Sequence, residues 1–77
     1  MSDVTTINGI TFEPWPDHHG RPTGREIARR GLTLIGDIIP DAERKGGWVY
    51  RFNERPMPMP RWVRSRDAGR ELLAGVQ

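Results

Sequence analysis

The sequence has no cysteine, which excludes both a disulfide framework and a thiolate zinc site as supports for the fold. Histidine is nearly as scarce: His18 and His19 are the only two, and they are adjacent. Neighbouring imidazoles in a loop seldom both reach one metal and no third is available, so no metal site is expected and the pair reads as solvated loop residues. Serine occurs twice, and Ser65, the one away from the start, has no base placed to activate it. No run of about 18 apolar residues exists. The start, MSDVTTING, has neither the basic nor the apolar stretch of a signal peptide. These absences predict a soluble, cytoplasmic chain with no cofactor.

What is present is a short chain rich in arginine. At 77 residues, 35% of them apolar, it suffices for one small domain over 1–77, which buries roughly 60% of its unfolded surface. So thin a core is not expected to enclose a substrate pocket of about 300 Å³, nor a pair of carboxylates for acid–base work. An enzyme is therefore not expected. Twelve basic residues stand against ten acidic ones, and eleven of the twelve are arginines, which raises the sequence pI to 9.9 while the net charge is only +2. The charge is unevenly spread. Residues 1–43 carry four arginines against seven acids, a balance of −3, whereas residues 44–77 carry eight cations against three acids, a balance of +5.

Local patterning predicts an α+β domain: an antiparallel sheet of three or four strands with a C-terminal helix on one face. Residues 1–6 lack a period and are expected to be flexible or to join an edge strand. After Asn8-Gly9, the alternation of Ile10 and Phe12 with Thr11 and Glu13 predicts a short strand, and the segment 15–22 reads as a loop. Thr23 followed by Glu26 forms a capping-box pattern with Gly31 as a stop, which predicts a short helix over 24–30 or, given its sparse apolar content, an extended lead-in to the next strand. Leu32 to Ile39 reads as a central strand. Trp48, Tyr50 and Phe52 alternate with Val49 and Arg51 and predict a strand whose aromatic side faces the core. Prolines 56, 58 and 60 cannot donate to a ladder and predict a polyproline-like bridge. Residues 61–64 then read as a strand. Ser65 is a helix N-cap, with Ala68, Leu72, Leu73 and Val76 at helical spacing behind it, and Gly69 suggests close packing on the sheet.

The pattern closest to a functional site is the basic C-terminal half. Arg44, Arg51, Arg55, Arg61, Arg64, Arg66 and Arg70, with Trp62 as a stacking surface, are candidates for contacting phosphate or an acidic protein surface. Alternatively, these arginines form a solvated face whose stems cover apolar surface. Met57 and Met59, two flexible thioethers on the proline bridge, are candidates for an apolar contact with a partner.

The order β, β, β, α with a preceding short helix resembles that of the double-stranded-RNA-binding domain. Where that family has a lysine-rich start to its last helix, this chain has Ser65-Arg66-Asp67-Ala68-Gly69-Arg70. In size and in lacking a catalytic set the chain resembles small phage accessory proteins, including anti-CRISPR inhibitors. That resemblance implies a non-enzymatic protein that docks on a host protein or ribonucleoprotein complex that processes nucleic acid, and inhibits it. Direct DNA or RNA binding through the arginines is the alternative expectation, and a homo-oligomer, such as a homodimer paired through an edge strand, is the third.

Overall fold

A computed structural model describes residues 4–53, 57 and 59–75. Asn8 and Gly9 both take positive φ, 51° and 78°, which is the geometry of a two-residue hairpin whose twist matches its strands. It joins β1 (Thr5–Ile7) to β2 (Ile10–Pro14). Pro14 and Pro16 then end the ladder, and the chain loops out over 15–25. Asp17 organises this loop by accepting the amides of His19 at 2.8 Å and Arg21 at 2.9 Å.

The expected helix over 24–30 is a strand, β3 (Glu26–Arg30). The capping-box threonine caps no helix. Thr23 donates its hydroxyl to the Trp15 carbonyl at 2.8 Å and accepts the Arg25 amide at 3.1 Å, closing the base of the loop. Gly24, at φ 79°, takes the backbone out of helical geometry before Glu26 is reached. With two apolar residues, the segment gains more by laying Ala28 between Phe12 and Gly36 than by forming one marginal helical turn.

A tight turn at Gly31-Leu32 leaves Leu32 100% exposed, so the central strand β4 runs from Thr33 to Pro40 and does not include it. A register shift between Ala28 and Arg29 sets Leu34, not Ile35, opposite Arg29. Leu34 is consequently exposed and Ile35 packs against the core, the reverse of strict alternation from Gly36. Strand β5 (Trp48–Phe52) pairs with β4, and β6 (Arg61–Val63) pairs with β5. The result is an antiparallel meander of six strands in the order β1-β2-β3-β4-β5-β6. Strand accounts for 43% of the described residues and helix for 13%. This corrects the expected sheet of three or four strands, because the N-terminal stretch contributes β1 and the expected helix is β3. It also removes the preceding helix on which the likeness in element order to the double-stranded-RNA-binding domain depends.

The helix α1 (Arg66–Ala74) begins at Ser65, whose Oγ accepts the Ala68 amide at 3.1 Å. It touches β4, β5 and β6 and also β1 at the other edge. Opposite edges of a six-stranded sheet reach one short helix only when the sheet curls around it. The inner face supplies Ile10, Phe12, Ala28, Ile38, Tyr50 and Val63, which close on Leu73 and Ala74 of α1. Tyr50 and Phe52 meet edge to face at 5.7 Å. Val76 and Pro58 lie outside the described residues. No helix among them is long and apolar enough to cross a membrane.

Two glycines set the approach of helix to sheet. A Cβ on Gly36 would lie 2.0 Å from the Arg51 carbonyl oxygen and 3.0 Å from Leu73 Cδ2, whereas one on Gly69 would lie 3.5 Å from both Ile38 Cδ1 and Val63 Cγ2. The first site cannot accept a methyl without moving backbone; the second accepts it in ordinary contact. Gly36→Ala is therefore expected to destabilise by about 2 kcal/mol or more. Gly69→Ala is expected to stabilise by up to about 1 kcal/mol and raise the melting temperature by about 4–8 °C. Thermal melts of both variants check this, and a stabilised Gly36→Ala would refute the packing described.

Candidate functional site

The charged residues organise around two buried carboxylates on opposite faces of the sheet. Glu26, the first residue of β3, points to the inner face and is 2% exposed. Arg66 and Arg70, one turn apart on α1, both reach it. Arg70 donates Nε to Glu26 Oε1 at 2.8 Å and Nη2 to Oε2, while Arg66 donates Nη1 to Oε2 at 3.3 Å. Arg70 also reaches Asp67 at 3.2 Å. The hydrogen bonds to Glu26 raise the Arg70 pKa above its ordinary value; burial opposes this, and the Coulomb attraction of Glu26 and Asp67 adds to it. The Arg66 guanidinium lies 4.9 Å from the Trp48 ring centroid, so this side chain joins helix, carboxylate and aromatic strand.

Asp37 is the counterpart on the outer face, 5% exposed and set opposite both Ile27 and Arg51. Arg51 donates Nε to Asp37 Oδ1 at 2.9 Å and Nη2 to Oδ2, a bidentate fork, and Arg25 donates Nε to Oδ2 at 3.2 Å. The hydrogen bonds to Asp37 raise the Arg51 pKa, against the opposing effect of burial and with the help of Coulomb attraction. Beside this trio lies a depression of about 140 Å³ whose lining includes Ile27, Leu34 and Asn53.

The next row of the outer face is apolar. Ile39, Val49 and Trp62 stand side by side across β4, β5 and β6, with Trp62 47% exposed. Its indole abuts the turn at Gly47, where a Cβ would lie 2.7 Å from Nε1, and Arg44 sits 4.7 Å from the ring centroid. Met57 and Met59 are both exposed.

The arginine-rich surface anticipated from sequence is thus divided. Arg66 and Arg70 clamp Glu26 on the inner side, and Arg51 clamps Asp37 on the outer side. Arg61 lies 5.1 Å from the Phe52 ring centroid. Arg44 and Trp62 come together, Arg64 is exposed, and Arg55 lies outside the described residues. Each of the three tryptophans carries an arginine, Trp15 being paired with Arg29 at 5.6 Å. Sequence reasoning does not single out Glu26, Asp37 or Arg25. An acid inside the apolar run Leu32–Ile39 is the available signal for Asp37, since a charge there must find a partner.

An open groove of about 890 Å³ lies between the 15–24 loop and the start of α1, bounded by Trp15, Trp48, Arg25, Arg66 and Asp67; it is a surface groove and not the enclosed pocket considered from sequence. Curling of the sheet and outward projection of the loop create it. Within it, Ser65 Oγ accepts the cap hydrogen bond, and Glu26 and Asp67 are engaged by arginine. His18 and His19 lie in the exposed loop, ring centroids 4.0 Å apart. Among the described residues no group of three His, Cys, Asp or Glu could hold a metal ion.

No family model matches the chain, and no solved structure matches it. It is similar to the N-acetyl-gamma-glutamyl-phosphate reductase of Pelotomaculum thermopropionicum, with 33% identity over 76 residues. The match covers 99% of this chain and 19% of the reductase, so the chain spans about a fifth of that relative's length.

The Glu26 clamp has a measurable consequence. Glu26→Gln removes the buried carboxylate that Arg66 and Arg70 share, leaves Arg70 only the exposed Asp67 as counter-charge, and is expected to cost about 1.5–3 kcal/mol. Asp67→Asn, which removes the exposed partner of the same arginine, is expected to cost less than about 1 kcal/mol. Urea titrations rank the two; equal costs would show that the buried pair does not hold α1 in place.

Proposed function

We propose that the protein is a non-enzymatic binding module that docks, through the outer face of β4–β6, on a protein surface presenting an apolar pocket with an acidic rim. The observation that carries this reading is the row Ile39, Val49 and Trp62, which leaves a large aromatic exposed on a rigid strand, and Met57 and Met59 are exposed as well. Tryptophan and methionine are enriched where proteins meet, and a half-exposed tryptophan on a strand loses little conformational freedom on binding. The rim is basic, with Arg44 against the indole and the Arg25–Asp37–Arg51 trio in the neighbouring row, and this favours an acidic partner.

Direct nucleic-acid binding is less well supported by the same geometry. Arg51, Arg66 and Arg70 already neutralise buried carboxylates, and an arginine stacked on each tryptophan competes with a base for the ring. On the proposed reading the partner belongs to a complex that processes nucleic acid, and docking inhibits it, in the manner of the small phage inhibitors that the chain resembles in size and in its lack of a catalytic set.

Trp62→Ala, a change at a half-exposed site, is expected to leave the fold intact and to weaken capture of the partner by at least about tenfold. The measurement is recovery of one stoichiometric partner from host lysate by the wild type and its loss by the variant, with cross-links mapping to Ile39, Val49 and Trp62. Undiminished capture by Trp62→Ala would overturn the reading. So would a DNA or RNA mobility shift at low salt that disappears at high salt and depends on Arg61 and Arg64.

A further inference from the structure

We infer that the depression beside Asp37 is a monocarboxylate-binding subsite, and that in the proposed complex it receives a glutamate or aspartate side chain of the partner. The second half of this inference rests on the docking reading; the first does not. Two guanidiniums surround one carboxylate, so the Arg25–Asp37–Arg51 cluster keeps one net positive charge on the outer face. Asp37 has both oxygens occupied and is itself buried. Both arginines, by contrast, are partly exposed, and among the described residues neither Arg25 Nη1 nor Arg51 Nη1 has a hydrogen-bond partner. The pair is thus held by Asp37 in a fixed orientation with donors to spare, which lowers the entropic cost of engaging a second anion.

The volume and lining select the anion. The depression of about 140 Å³ is bounded by the two arginines, by Ile27 and Leu34, and by Asn53, whose Nδ2 lies 3.5 Å from the Leu34 carbonyl. At about 30 Å³ per water it holds four to five waters, the space of a carboxylate with a short methylene stem. Ile27 and Leu34 suit that stem and not a sugar or a second phosphate. Charge selects in the same direction. A monoanion balances the cluster, whereas a phosphate dianion overcompensates it and is repelled at short range by Asp37.

The test is an amide-resolved NMR titration of the whole chain at about pH 8 and constant ionic strength, with acetate, N-acetylglutamate amide or inorganic phosphate, the last mainly dianionic there. Saturable shifts are expected at Gly36 and Asn53 with both carboxylates, with dissociation constants on the order of millimolar, and phosphate is expected to bind at least about tenfold more weakly. Arg25→Gln is expected to abolish the shifts. Leu34→Glu, an exposed substitution that leaves both arginines in place, should abolish them by supplying a tethered carboxylate. Trp62→Ala is expected to leave them unchanged even as it loses the partner, which separates the subsite from the docking face. Absence of saturation, survival of the shifts in either Arg25→Gln or Leu34→Glu, or equal binding of phosphate would overturn the subsite. If acetate binds as expected but Arg25→Gln captures the partner as strongly as the wild type, the assignment to a partner side chain is overturned and the docking reading stands.

Discussion

The structure depends on neutralising two carboxylates that a 77-residue chain buries within one sheet. Glu26 and Asp37 lie on the neighbouring strands β3 and β4, one facing α1 and the other facing outward. Burying either charge alone would cost several kcal/mol, a large share of what a domain this small has available. Each is instead met by two arginines from other elements, and those arginines supply connections that a larger core would provide through apolar contact. Arg66 and Arg70 tie the helix to β3, while Arg25 and Arg51 tie the loop before β3 to β5 across β4.

This arrangement explains why arginine so outnumbers lysine at the sites that matter. A planar guanidinium can grip a carboxylate with two parallel hydrogen bonds and lie flat on an aromatic ring. Arg66 combines both kinds of contact, bonding Glu26 while covering Trp48. A lysine in its place would supply a point charge and no cover for the indole. The excess positive charge of the C-terminal half is therefore partly structural, consumed inside the fold, and the charge left for recognition is smaller than the sequence total suggests.

The two faces of the sheet consequently do different work. The inner face, with Phe12, Ile38 and Tyr50 packed on Leu73, holds the domain together. The outer face carries the Asp37 cluster and the buried Ile27, and it is there that a tryptophan stays half exposed.

The sequence by itself determined the local elements whose cause lies within a few residues. These are the aromatic strand Trp48–Phe52 and the Ser65-capped helix Arg66–Ala74. Tertiary structure alone decided that Glu26–Arg30 is a strand, because an isolated capping box and an edge of hydrogen-bonding partners compete for the same residues, and the partners come from β2 and β4. It alone decided which face each arginine serves: Arg66 and Arg70 lie 40 and 44 residues from Glu26 along the chain, and no local period records that approach.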